Sequence, residues 1–188
     1  MSATAPSGST SKEVINFHPI VLDNFLSSSD FLMLSEEFNY MPLRLCNWSD
    51  SNNIKLFFGV RKTDRPNHLE SLASIISLKV KKHVKRKFFF KRLHLNGQVY
   101  GQEGQLHQDS QEPTDITVLI FTNREWNSAW GGHFSFADLS DQEVHTVTYK
   151  PNRAVIFPSS LYHCGNAPLR FTDRMRTSAA FLFETCEY

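Results

Sequence analysis

The sequence predicts a mainly β fold with N-terminal helices (α+β), a β-sandwich or jelly roll backed by two or three helices. Three observations carry that expectation. Two segments of the first half repeat apolar residues at helical spacing. From Phe88 onward the pattern changes to about eight short apolar stretches separated by turn residues. No internal repeat or linker divides the 188 residues, a length that suits one domain with an ample core. Helices followed by a run of short strands are the signature of a strand core with helical backing.

Residues 1–12 are mostly Ser, Thr, Ala, Gly and Pro and read as a flexible arm. The single domain is expected over 13–188, with helical support over 13–87 and the strand core over 88–184. An apolar stretch over 14–22 leads to SSSDFLMLSEEF, which opens on capping residues. It then places Phe31, Leu32, Leu34, Phe38 and Met41 mainly on one side, so 29–40 reads as a helix. Residues 44–60 carry Leu45, Trp48, Ile54, Leu56, Phe57 and Phe58 around a polar SDSNN turn, which predicts a β-hairpin. The strongest helical pattern follows Pro66, over 67–87, where Leu69, Leu72, Ile76, Val80 and Val84 recur at spacings of three and four. The expected strands are 88–100, 104–109, 115–122, 132–137, 143–149, 153–157, 161–164 and 174–183.

Composition removes several classes of function. Lys+Arg 20 against Asp+Glu 19 gives a formal charge of +1, unlike the basic balance of a general polyanion binder. The 40% hydrophobic content is that of a folded chain. No apolar run approaches the length of a membrane span, and MSATAPSGST lacks the basic and apolar regions of a signal peptide. Cys46, Cys164 and Cys186 form neither a zinc pattern nor a disulfide framework, which fits a reducing cytoplasm.

The chemistry concentrates in LNGQVYGQEGQLHQDSQEP, residues 95–113. In a strand, His107 and Asp109 project to the same face, offering an imidazole and a carboxylate together. A second histidine would complete a facial two-His, one-carboxylate metal site with open positions for substrates. His18, His68, His83, His94, His133 and His145 are rivals for that place, each readable as an ordinary structural or solvated residue. His163 stands apart, because the apolar strand Ala154-Val155-Ile156-Phe157 and the turn Pro158-Ser159-Ser160 deliver it to the mouth of a sheet. Further on, Arg176 and Ser178 share a strand face and suit a small carboxylate; Arg174 lies on that face as a second candidate clamp.

Taken in order, these pieces resemble a known family. Tyr100-Gly101-x-x-Gly104-x-x-His107-x-Asp109 is followed by WNSAWGGHFSF over 126–136, by Ala154-Val155-Ile156-Phe157 leading to His163, and by Arg176-x-Ser178. The set resembles the iron(II)- and 2-oxoglutarate-dependent oxygenases, above all the prolyl 4-hydroxylase-like branch that includes small bacterial and phage members. The resemblance covers about residues 88–184. It implies a double-stranded β-helix with His107, Asp109 and His163 as iron ligands. It likewise implies that Arg176 holds the distal carboxylate of 2-oxoglutarate, with Ser178 and Tyr100 assisting. Dioxygen would be the co-reactant, succinate and carbon dioxide the released products, and ascorbate a further reductant that the family allows.

Two positions depart from the pattern. His133 follows WGG where relatives commonly carry Glu or another residue, and Phe121 stands where some prolyl hydroxylases have a tyrosine facing the cosubstrate. The first substrate expected is a prolyl residue of a protein or peptide. The alternatives are a nucleic acid or small metabolite and, last, a non-catalytic jelly-roll binding protein. Residues 79–92, KVKKHVKRKFFFKR, carry eight Lys or Arg and encourage the nucleic-acid alternative, although a solvated helix face accounts for them as well. Trp126 and Trp130 could line a substrate groove or pack over the sheet.

Overall fold

The computed structural model describes residues 15–40, 44–46, 57–62, 67–138 and 143–185. The expected N-terminal arm and the SDSNN turn lie outside the described residues. The chain forms β1 (Ile20–Leu22), α1 (Ser28–Tyr40), β2 (Arg44–Cys46), β3 (Phe57–Lys62), α2 (Asn67–Val84), β4 (Phe88–Gln98) and β5 (Ile116–Phe121). A short 3-10 turn (Ser128–Trp130) precedes β6 (Phe134–Asp138), β7 (Glu143–Val147), β8 (Ala154–Pro158), β9 (Tyr162–Gly165) and β10 (Arg176–Thr185). These make a seven-stranded sheet, β1-β8-β5-β10-β4-β3-β2, and a three-stranded sheet, β7-β6-β9, all pairs antiparallel. The architecture is the expected jelly roll backed by two helices.

Local chemistry sets the helix ends. Ser27 caps α1, its hydroxyl accepting from the Asp30 N–H (3.2 Å) and donating to the Asp30 carboxylate (2.6 Å). α2 stops at Val84, three residues short of the periodic pattern, because Lys85 takes a left-handed φ of 60°. Within α2, Leu72, Ile76 and Val80 are fully buried, while Lys81, Lys82 and His83 face solvent. The first half of the basic run is therefore the outer face of an amphipathic helix. Its last two residues are tied into the fold: Lys91 pairs with the buried Asp115 at 2.9 Å, and the Arg92 guanidinium donates to the Asp109 carbonyl.

Two apolar layers follow from the two-residue strand period. The helices cover one face of the large sheet, burying Leu93, Leu95, Val118, Ile120, Phe181 and Phe183 against Leu72, Ile76 and Val80. Leu119, Phe121, Phe134, Phe136, Val155 and Phe157 fill the space between the sheets. Trp126 joins this second layer, its ring 4.6 Å from Tyr149 and its indole N–H donating to the Gly131 carbonyl. It packs over the sheet, as one of its two readings held.

Two expected strands come out differently. Residues 104–109 form no regular strand; only His107 bridges, to His163. The Asp109 and Ser110 N–H groups both turn to the Ser159 carbonyl, which ends the ladder. The strand expected over 88–100 ends at Gln98, because the Val99 N–H is taken by the Gln102 side chain (2.7 Å) and Gly101 adopts φ 84° in a tight turn. Among the described residues no helix is long and apolar enough to cross a membrane.

Candidate active site

At one end of the space between the sheets, His107, Asp109 and His163 meet, their ligand atoms all within 4.8 Å of one another. His107 Nε2 is 3.9 Å from one Asp109 oxygen and His163 Nε2 is 3.6 Å from the other. Each imidazole is oriented by its own backbone neighbourhood. Nδ1 of His107 lies 2.9 Å from the Gln105 carbonyl, and Nδ1 of His163 lies 2.9 Å from the Leu161 carbonyl. A carbonyl only accepts, so each Nδ1 carries a proton and each Nε2 faces the carboxylate. Thr117 donates to Asp109 at 2.7 Å, and the Ser159 hydroxyl stands 2.9 Å behind it.

The electrostatics keep this trio ready to bind a cation. Burial alone would raise the Asp109 pKa, but the two imidazoles and the Thr117 hydroxyl outweigh it and hold the carboxyl below its usual range. Burial pushes the His163 pKa down, against the pull of Asp109, so its imidazole is neutral at pH 7. Cys164 pairs across from Ser135 while His163 pairs with Phe136, so the thiol faces away from the cluster. Burial raises the thiol's pKa and leaves it protonated.

Deeper between the sheets, Arg176 is 1% exposed. Its Nε donates to the Gly132 carbonyl (2.8 Å), and Nη1 donates to Gln98 (2.9 Å) and Ser178 (3.1 Å). Nη2 is buried and has no hydrogen-bond partner among the described residues. The guanidinium lies 5.4 Å above the Phe121 ring and 5.6 Å from that of Tyr149, which stacks on Phe121. Burial lowers the Arg176 pKa to about 10, so it stays charged at neutral pH. A buried cation with an unused donor is costly unless an anion completes it. Three of the five N–H bonds are already engaged, which leaves the two on Nη2 and the hydroxyl hydrogen of Ser178 as remaining donors.

Glycines make room for this arrangement. A Cβ on Gly132 would lie 3.0 Å from Trp126 and 3.3 Å from the Arg176 side chain; one on Gly165 would lie 2.9 Å from Gln98. The other candidates fall elsewhere. Arg174 precedes β10 with its side chain 65% exposed beside Asp173. Tyr100 sits past the end of β4, 59% exposed, in the turn that replaces the expected strand. Gln98, Thr117, Ser159 and Tyr149 belong to the site and were not singled out from the sequence. Thr117 alone had a visible signal, as the one hydroxyl in the apolar run ITVLIF.

A jelly roll that gathers two imidazoles and a carboxylate between its sheets, with a buried arginine behind them, has the form of a mononuclear non-haem metal enzyme. Residues 94–184 match the family model of the 2OG-Fe(II) oxygenase superfamily, and this region is of that superfamily. It is therefore an oxidoreductase of the 2-oxoglutarate-dependent type, a membership that implies iron(II) and 2-oxoglutarate.

Solved structures agree on the fold. A Pseudomonas putida prolyl-4-hydroxylase is 15% identical, with 90% of this chain and 93% of that one covered at a TM-score of 0.66. A Trichoplax adhaerens prolyl hydroxylase, solved with a peptide fragment of hypoxia inducible factor, is 17% identical over 88% and 83%, TM-score 0.65. The epimerase SnoN from nogalamycin biosynthesis is 12% identical over 88% and 76%, TM-score 0.67. A search of curated proteins returns no match.

Proposed function

We propose that this protein is an iron(II)- and 2-oxoglutarate-dependent dioxygenase that hydroxylates a C–H bond of a prolyl residue in a protein or peptide. The observation that carries the reading is the buried Arg176, with Nη2 unpaired, behind the His107–Asp109–His163 cluster. The donor set fits iron(II), with two imidazole Nε2 atoms and one carboxylate. The distal carboxylate of 2-oxoglutarate fits the unpaired Nη2 and the Ser178 hydroxyl. Iron, 2-oxoglutarate and dioxygen together supply the oxidising power that turns C–H into C–OH with release of succinate and carbon dioxide.

The chain's own residues provide placement. His107, Asp109 and His163 would hold the metal through two imidazoles and a carboxylate. Thr117 keeps the carboxylate turned inward, and Phe121, Phe134 and Phe157 exclude water from the space between metal and arginine. The prolyl reading is supported by the fold shared with the two prolyl hydroxylases, each similar over more than four-fifths of both chains. A small-metabolite substrate is the second reading, favoured by the equal likeness to SnoN.

The deciding experiment incubates the iron-loaded protein with 2-oxoglutarate, dioxygen and, separately, proline-containing peptides, oligonucleotides and small metabolites, then seeks an added oxygen by mass. Oxygen added to peptides supports the prolyl reading. Oxygen added only to oligonucleotides or metabolites overturns it. Without oxygen, iron(II) and 2-oxoglutarate should give a visible charge-transfer band, and its absence would remove the metal assignment itself.

A further inference from the structure

Gln98 closes β4 at the deep end of the space between the sheets and is 4% exposed. Every polar atom of its side chain is engaged. Nε2 donates to two carbonyls, those of Gln102 and Gly165, each at 2.9 Å, and Oε1 accepts from Arg176 Nη1 at 2.9 Å. Carbonyls only accept and a guanidinium only donates, so a single amide orientation satisfies all three contacts. The reversed amide would face two carbonyls with an oxygen and the cation with an NH2 group. Gln98 is thus locked by the backbone of the 99–102 turn and of β9, and it presents a fixed acceptor to one nitrogen of Arg176. Direct pairing of Arg176 with Gln98 in the β4–β10 register brings the two side chains to one face.

We propose that Gln98 is a positioning residue for the cosubstrate: by holding Nη1, it turns Nη2 toward the place where the distal carboxylate binds, and so sets how long a 2-oxo diacid the pocket accepts. The inference rests on Arg176 being the carboxylate clamp. Gly165 takes part, because any side chain there meets Gln98 Oε1 at 2.9 Å and Arg176 Nη1 at 3.3 Å and must displace both. The backbone partners of the amide explain why Gln serves here: Glu would lack both donors, and Met would lack the acceptor.

The test uses iron(II)-loaded full-length protein without oxygen, titrated with 2-oxoglutarate and with 2-oxoadipate, one methylene longer, while the visible absorption is followed. Metal affinity and thermal melting are measured alongside. Gln98→Met should weaken 2-oxoglutarate binding about tenfold, narrow the preference for 2-oxoglutarate over 2-oxoadipate, and leave iron affinity within twofold. Gly165→Ala removes no polar group and should move the same two quantities in the same direction, so it decides the matter if Gln98→Met does not fold. A uniform loss of stability with unchanged diacid preference in the folded variants overturns the proposal. Arg176→Met separates the two layers. If it leaves 2-oxoglutarate affinity intact, the clamp assignment fails. If it abolishes binding while Gln98→Met and Gly165→Ala bind as the parent does, only the role of Gln98 fails.

Discussion

The two faces of the seven-stranded sheet are made from the same strands, and only the inner one adds polar groups to its apolar side chains. On the helix side, β4 contributes Leu93 and Leu95, β5 contributes Val118 and Ile120, and β10 contributes Phe181 and Phe183. One residue along, the same strands turn Arg92 and Gln98, Thr117 and Phe121, and Arg176 and Ser178 inward. One face consists of side chains that need only exclude water. The other holds a cation, hydroxyls and an amide, each of which needs a partner in a fixed place. A one-residue slip would exchange the two sets, so the apolar face acts as the device that fixes the register of the polar one. Stability and chemistry are divided by face, and substitutions on the two sides should separate accordingly.

The widest separation is expected at His163. Replacing it with alanine should abolish succinate formation and the anaerobic charge-transfer band, while the melting temperature stays close to the parent's, since active-site groups are not placed for stability. Succinate formation that persists in His163→Ala would break the division outright. On the opposite face, Leu95→Ala should cost about 2–5 kcal/mol of stability, read by urea unfolding. Iron affinity per folded molecule should not change, because Leu95 packs toward the helices. Thr117→Val sharpens the same comparison within β5. It removes the hydroxyl that Asp109 accepts from and nearly preserves volume. Iron affinity, measured by chelator competition, should fall roughly 10–100-fold, while the buried Ser159 hydroxyl left without Thr117 should cost about 1–3 kcal/mol of stability.

The sequence made one part of this division easier to read than the other. Helix 67–84 and the apolar strands announce themselves by period, because burial acts on every turn or every second residue. His107, Asp109 and His163 were legible because two of them are neighbours but one and the third follows a strand and turn in a recognisable order. Arg176 and Ser178 were legible for the same reason. What escaped depends on register between distant strands. Gln98 gains its role only when β4 lies beside β10, 78 residues away, and Tyr149 only when its hydroxyl reaches the Thr177 carbonyl and Asn123. Tyr100 shows the opposite case: the pattern continued the strand through it, but Gly101 and the Gln102 side chain turn the chain at Val99 and leave the residue exposed.

The smallest expected effect lies on neither face, where the segment after β1 is clasped to the turn before β8. The backbone of Leu26 exchanges two hydrogen bonds with the Asn152 side chain, and Asp23 accepts from Arg153 (2.6 Å) and Lys150 (2.7 Å). The Arg153 and Lys150 contacts lower the Asp23 pKa from 3.8 to about 2. Its side chain is 36% exposed, so solvent screens the pair and about 0.2–1 kcal/mol is expected. The folded carboxylate is the more acidic, so the folded chain holds fewer protons than the unfolded chain between these values. The stabilisation is therefore complete above about pH 4 and is lost as pH falls toward 2. Asp23→Asn should melt roughly 1–3 °C below the parent at pH 7. The gap should narrow as pH falls below 4 and close near 2, with cosubstrate affinity at pH 7 unchanged. A gap that persists at low pH would mean that the contact stabilises by packing or neutral hydrogen bonding, and not through the charge of Asp23.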